Sequence, residues 1–465
     1  MKFRLPELEI PSDEPFRNDA LERQAVVEFL AGLLDKFNGP FVLALDSPWG
    51  TGKTTLVRML KAKLEQTNFQ CVYFNAWQTD FVDDPLVALV SVLDCLELAD
   101  GEAKTAFQKH LGTAKKITTA VAKRGLIAGA KAATFGGLDL AREYEAIAAD
   151  VSGGLTGDAI EFFQKEQAAL KKLREELDEA VAQLKIAGKR ESLVFFIDEL
   201  DRCRPTFAIE LLERIKHLFD LSNIVFVLSV DKAQLSASVA SVYGEKSDTQ
   251  EYLRRFFDLE FGIPKINSKR HTSVLLTRFG LDDVFAQRTH GDLRYDKSHF
   301  VDYFSAVADV FQLSLRARER CVTMLAVVLH QTPTDHYLDA ILVSFLIVLR
   351  AKKPETFYSL CNDSLPPLAA MALVAELPSG QAFVASRAGM LIESYLLAGD
   401  PNTERSSEYY KTLQDFWNSE SGDPNVRSRA KQVLDLRGQI LAGFRDRVDY
   451  RDVAKKIDVS ASFRD

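Results

Sequence analysis

The chain has 465 residues, 47% of them hydrophobic and 27% charged, with a formal net charge of −8. That is the composition of a globular protein of roughly two to four domains, and its acidity argues against a surface coated for nucleic acid, although a local basic patch stays open. Five scattered cysteines (Cys71, Cys95, Cys203, Cys321 and Cys361) lack metal-ligand spacing and read as reduced thiols of a cytoplasmic protein; Met1-Lys2-Phe3-Arg4-Leu5 holds no apolar signal core, and no run is long and uncharged enough to span a bilayer.

A polar lead-in runs to Asp19, which opens an amphipathic helix through Val26, Val27, Phe29, Leu30 and Leu33, stopped by the turn signal Asn38-Gly39-Pro40. The apolar run Phe41-Val42-Leu43-Ala44-Leu45 follows, then Ser47-Pro48-Trp49-Gly50-Thr51-Gly52-Lys53-Thr54-Thr55, then residues 56–64 with helical apolar spacing. Strand, glycine loop and helix are the context that a phosphate-binding loop requires. Gly50 and Gly52 let the backbone bend, so that several N–H groups along Gly50, Thr51, Gly52, Lys53, Thr54 and Thr55 face one anion at a helix N-terminus. Lys53 can reach the β- and γ-phosphates, and the Thr54 hydroxyl can ligate Mg2+. Ser47 stands where the consensus motif opens with Gly. With a phosphate loop next to it, the leading helix offers Arg23 as a contact to the nucleotide base, the other reading being a solvated helix charge.

The next strand is Cys71-Val72-Tyr73-Phe74, leading into Asn75-Ala76-Trp77, and Asp83-Asp84-Pro85 caps a helix over residues 86–98. From 102 to 189 the pattern changes. Residues 111–138 carry Lys115, Lys116, Lys123, Arg124 and Lys131 and no acid; Gly153, Gly154 and Gly157 punctuate the chain; and residues 159–184 place Leu170, Leu177 and Leu184 seven apart. This reads as a helical hairpin or short coiled-coil arm inserted into an alternating strand–helix pattern. The strand Leu193-Val194-Phe195-Phe196-Ile197 then resumes the sheet and ends in Asp198-Glu199-Leu200-Asp201-Arg202, a Walker B arrangement. Asp198 is placed to hold Mg2+ through water and Glu199 to orient or deprotonate an attacking water, with Asp201 the other carboxylate that could act as the base. The strand from Ile224 to Val230 offers Ser229 and Asp231 as phosphate sensors, or as local turn caps. Arg254 and Arg255 precede a last short strand at 259–261, stopped by Pro264. Beyond it only helical periodicity appears, over 274–279, 300–310, 315–329, 338–349, 365–377 and 383–397, then a polar loop at 400–404, final helices from about 408 and a frayed end at 459–465.

These blocks resemble the KAP P-loop NTPases: Asp19-Ala20-Leu21-Glu22-Arg23, the Trp-Gly before Gly-Lys-Thr, Phe74-Asn75-Ala76-Trp77, Ile197-Asp198-Glu199-Leu200-Asp201-Arg202-Cys203 with Glu199 for the usual second Asp, Val230-Asp231, and Tyr252-Leu253-Arg254-Arg255-Phe256. The resemblance covers about residues 13–265 with a gap at the insertion, and the helix bearing Arg316 matches loosely. It implies an α/β fold, an ASCE-type P-loop NTPase parallel sheet with Walker B on the strand neighbouring the P-loop strand, a helical insertion between Walker A and Walker B, and an all-α C-terminal region. It implies ATP and Mg2+ as cofactors, and for bacterial members an association with phage exclusion and defence beside partner effectors.

The expected organisation is therefore residues 1–101 and 190–266 as the two parts of the P-loop domain, 102–189 as the insertion and 267–465 as the helical region. The function expected is an ATP hydrolase acting as a switch or assembly factor in antiviral defence, working as a homo-oligomer with a partner effector. Arginine help for the γ-phosphate falls to Arg255 in trans and Arg316 in cis. Two other readings stand beside it: a DNA-directed motor or loader, which nothing in the sequence indicates, and a membrane-surface scaffold making peripheral contact through 115–131 without a transmembrane segment.

Overall fold

The computed structural model describes residues 1–133 and 156–458 apart from 7, 38, 97, 191, 219–220, 222, 363, 401, 420–422 and 444–448. Expectations that fall on Asn38, Pro401, Gly153, Gly154, residues 134–155 and 459–465, and the side chains of Lys123, Arg124 and Lys131, lie outside the described residues. Two compact units emerge: Leu8–Asp19 with Arg23–Lys265, and Met1–Glu7 with Ala20–Glu22 and Ile266–Asp465.

The first unit is built on five parallel strands, β1 (Phe41–Asp46), β2 (Gln70–Asn75), β3 (Leu193–Asp198), β4 (Ile224–Val230) and β5 (Leu259–Gly262), in the order β2-β3-β4-β1-β5. The central strands are apolar nearly end to end because both faces are covered, as parallel sheets require. Side chains alternate: Val42, Ala44, Phe195 and Ile197 join one core, and Leu43, Leu45, Val194 and Phe196 the other. The second core is closed by the helices α1 (Gln24–Leu34) and α2 (Lys53–Glu65). The P-loop strand β1 and the Walker B strand β3 are not neighbours. β4 lies between them, which corrects the expected adjacency. The reason is the long crossover: after the insertion the chain returns to pair β3 with β2, and β4 then fills the remaining place beside β1.

The insertion is a pair of long helices, Glu102–Ala133 and Thr156–Ile186. Phe107, Leu111, Ala114 and Val121 meet Leu173, Leu177, Val181 and Leu184 in the same core as the sheet, and His110 Nδ1 lies 2.8 Å from Glu176. Lys115 pairs with Asp94. Two boundaries move relative to the sequence reading. Helix α1 begins at Gln24, since Glu22 adopts a left-handed backbone and Asp19 reaches forward to accept from Gln24 N at 2.9 Å. The helix capped by Asp84 runs over Pro85–Ser91, and a 3-10 turn, Val92–Cys95, takes over.

The second unit is helical, and among the described residues no strand follows Gly262. Its centre is the helix Ala340–Lys352, buried from Ala340 to Leu349 and apolar on every side, the pattern of a helix enclosed by others. Asp296–Val310, Leu315–Gln331, Arg387–Ala398 and Tyr450–Ile457 add to the core around it. Among the described residues no helix is long and apolar enough to cross a membrane.

Candidate functional site

The site forms where β1, β3 and β4 end. The register sets Asn75 beside Asp198, Asp198 beside Ser229, and Ser229 beside Leu45, so residues from four strands come to one edge. From β1 the chain turns through Ser47–Gly52 into α2. Gly50 (φ 74°) and Gly52 (φ 89°) are left-handed, a geometry that costs a side-chain-bearing residue and leaves glycine free. Ser47 Oγ donates to Thr51 Oγ1 at 2.7 Å and Thr51 Oγ1 to Pro48 O at 2.9 Å, so the serine at the motif's opening ties the loop to itself. Lys53, buried at the start of α2, donates its ammonium to Ser47 O and lies 3.8 Å from Asp201 Oδ2. Thr54 and Thr55 stand in the first turn, half-buried, their hydroxyls engaged with no described residue.

Across β4, Asp198 ends β3 at 1% exposure, accepting from Tyr73 OH at 2.9 Å and from Glu199 N at 2.9 Å. Glu199 takes a left-handed backbone (φ 61°), local strain of about 1–3 kcal/mol that the surrounding contacts must hold. Its carboxylate accepts from Asn75 Nδ2 at 3.0 Å and pairs with Arg202, whose guanidinium lies 5.7 Å over the Trp77 ring. Asp201 follows in a 3-10 turn, and its Oδ2 accepts the Trp49 indole N–H.

The model of the KAP family P-loop domain matches residues 23–331, two thirds of the chain. The chain belongs to the KAP family. No curated protein matches it. Among solved structures it is similar to the Aeropyrum pernix ORC2 protein in ADPNP–ADP complexes, at 14% identity and a TM-score of 0.35 over 94% of this chain and 96% of that one. It is also similar to C. elegans PCH-2, at 13% identity and a TM-score of 0.31 over 76% of this chain and 74% of that one.

The remaining expected residues of this KAP protein divide. Ser229 is fully buried, beside Asp198 in register, and its hydroxyl has no partner among the described residues. Asp231 accepts from Trp49 N at 3.1 Å and caps the helix Lys232–Tyr243 through Gln234 N, so the cap and the P-loop share one carboxylate. Arg23 is 2% exposed, not a solvated charge: it donates to Pro264 O at 2.7 Å and reaches Thr51 O at 3.5 Å, and burial lowers its pKa. Arg254 pairs with Glu251 at 3.2 Å. Arg255 is exposed, pairs with no described residue and borders a cleft with Tyr243, Asp248 and Tyr252. Arg316 is exposed in the first turn of Leu315–Gln331, in the other unit.

Burial dominates the electrostatics. It lowers the Lys53 pKa, with Asp201, Asp231, Asp198 and Asp46 pulling the other way, and it raises that of Asp201, against Lys53 and the indole bond. Burial, then Asp198, raises the Tyr73 phenol. The sequence by itself assigns no role to Asn75, Trp49 or Tyr73. The Asn-x-Trp and Trp-Gly words marked the first two, and nothing marked Tyr73.

Proposed function

We propose that the chain is a Mg2+-dependent ATPase that works as an ATP-driven switch or assembly factor. The observation that carries this reading is the pairing of a buried P-loop ammonium, Lys53, with a carboxylate, Glu199, fixed by Asn75 and Arg202 directly after the buried Asp198. The residues fit the nucleotide: left-handed glycines turn N–H groups toward an anion, Lys53 can donate to the β- and γ-phosphates, and the unpartnered Ser229 hydroxyl can bond a phosphate oxygen or the attacking water. They also fit the metal, since Thr54 and Asp198 supply oxygen donors for a hard cation, which when bound neutralises phosphate charge. In this reading Asn75 and Arg202 orient Glu199, which positions the water and accepts its proton.

The active form in this reading is an oligomer, with Arg255 completing a neighbour's site and Arg316 acting in cis. Supporting the first is the contrast between Arg254, held by Glu251, and Arg255, exposed and unpaired one residue on. Bacterial anti-phage defence beside a partner effector, in the cytoplasm, follows from the family association alone; the identity of neighbouring genes tests it. For the chemistry, the test is Glu199→Gln: ATP binding is kept and turnover falls by about 10² or more. Normal turnover in that variant overturns the assignment of the base. Mixing it in excess with limiting Arg255→Ala restores ATPase if Arg255 acts in trans, and co-assembly without rescue removes that role.

A further inference from the structure

Trp49 is tied to two carboxylates, one after β4 and one in the Walker B segment. Its backbone N–H donates to Asp231, and its indole N–H donates to Asp201 Oδ2, the same oxygen that lies 3.8 Å from the Lys53 ammonium. The Asp201 side chain is 1% exposed, so this carboxylate must draw its stabilisation from protein donors. Two partners contend for one oxygen. The indole holds a hydrogen bond; the ammonium stands beyond hydrogen-bond distance and donates to Ser47 O instead.

We propose that Trp49 is a positioning residue for nucleotide binding: by satisfying Asp201, its indole N–H keeps the carboxylate from closing onto Lys53 and leaves the ammonium available to phosphate. The inference rests on the ATP reading of the same site. A buried carboxylate that loses a donor leans on those that remain, and here, beside a backbone bond at Asp201 itself, the cation acting on it is Lys53. Closing the 3.8 Å gap to a charge-assisted hydrogen bond would hold Lys53 in a retracted position, and ATP would then have to break that bond to bind. Trp49 suits the task because the residue is 44% exposed and its loop is anchored separately by the backbone bond to Asp231, so removing the indole N–H leaves the loop in place.

This predicts a sign-dependent pair of variants. Trp49→Phe weakens ATP binding roughly tenfold, the equivalent of one charge-assisted hydrogen bond. The loss falls on KM more than on kcat, because ATP, once bound, has already drawn Lys53 away from Asp201. Asp201→Asn keeps an oxygen for the indole and removes the charge, so it binds ATP roughly threefold tighter than the wild type. Adding Trp49→Phe to Asp201→Asn then costs nothing further, since there is no carboxylate left to close on Lys53. The experiment is a titration of Mg·ATP into wild type, both single variants, the double variant and Lys53→Ala, each checked for an unchanged thermal midpoint. A tenfold loss that persists in the double variant means Trp49 meets the nucleotide itself and overturns the proposal, as does Trp49→Phe binding like wild type. Wild-type protein without ATP affinity overturns the ATP reading as well, whereas ATP binding lost in Lys53→Ala and untouched by Trp49→Phe overturns the Trp49 role alone.

Discussion

The buried ion pairs of the helical unit and the buried polar cluster at the P-loop are satisfied in opposite ways. In the helical unit two large buried charges are matched on the spot: Arg288, 1% exposed, gives Asp296 a 2.7 Å bond and two backbone carbonyls the rest of its guanidinium, and Glu393 is held by Arg429 and Tyr409 together. In the P-loop unit the buried polar groups gather beyond the ends of the strands and stay partly satisfied, with Lys53 3.8 Å from its carboxylate, Ser229 without a partner and Arg23 Nε unbonded. Matched charges neutralise one another and fix packing; half-matched ones keep donors free for a ligand. Stability should therefore be sensitive in one unit and binding in the other.

The largest test of that contrast is Arg429→Met. It leaves Glu393, 2% exposed and already pushed up by burial, without its cation, and removing one partner of a buried pair costs about 3–5 kcal/mol. A fall in thermal midpoint with ATP affinity intact is the expected result; a stable variant breaks the comparison. Next comes Lys53→Ala, the mirror case. Affinity for ATP should drop about a hundredfold, through loss of the charged donor to the β- and γ-phosphates. Stability should change by less than about 1 kcal/mol, because Lys53 stands 3.8 Å from Asp201, outside hydrogen-bond distance, and the carboxylate keeps its bond from the Trp49 indole. Unaltered ATP affinity in a folded Lys53→Ala protein removes the P-loop assignment.

How much of this was legible follows the same divide. Gly50, Gly52, Lys53, Asp198 and Glu199 could be read directly, because the turn, the ammonium and the acids each sit within a few residues of a strand end. Their partners could not. Tyr73 reaches Asp198 across 125 residues, Asn75 reaches Glu199 across 124 and Trp49 reaches Asp201 across 152, contacts created by parallel register and the P-loop turn. The place of β4 between β1 and β3 is a matter of pairing, which the order of elements along the chain leaves open. Arg23, which the sequence leaves open between a base contact and a solvated helix charge, is buried where carbonyls at Pro264 and Thr51 receive it. In the helical unit periodicity gave helices, while the match of Glu393 to Arg429 depends on how two of them pack.

His271, like Asp339, departs from that matching within the helical unit, and it yields the smallest predicted effect. It lies on Ser268–Arg278 at 4% exposure, its Nδ1 is buried without a partner among the described residues, and it has no carboxylate among the causes of its shift. Burial, reinforced by Arg318 and Arg278, pushes its pKa from 6.5 down to about 4. The folded protein therefore holds this imidazole neutral where the unfolded chain would protonate it. Its contribution to stability is fully present above pH 6.5 and is lost progressively as pH falls from about 6.5 to about 4. Between pH 7 and pH 5 the loss amounts to about 2 kcal/mol. Hydrogen exchange of the Ser268–Arg278 amides should quicken over that interval beyond its intrinsic pH dependence, and His271→Leu should flatten the response. The Leu side chain removes the titration but keeps apolar volume, so a slope that survives in it belongs to another group. A flat slope in the wild type would mean that the ring is already protonated and matched, which would place it with Arg288 and Glu393.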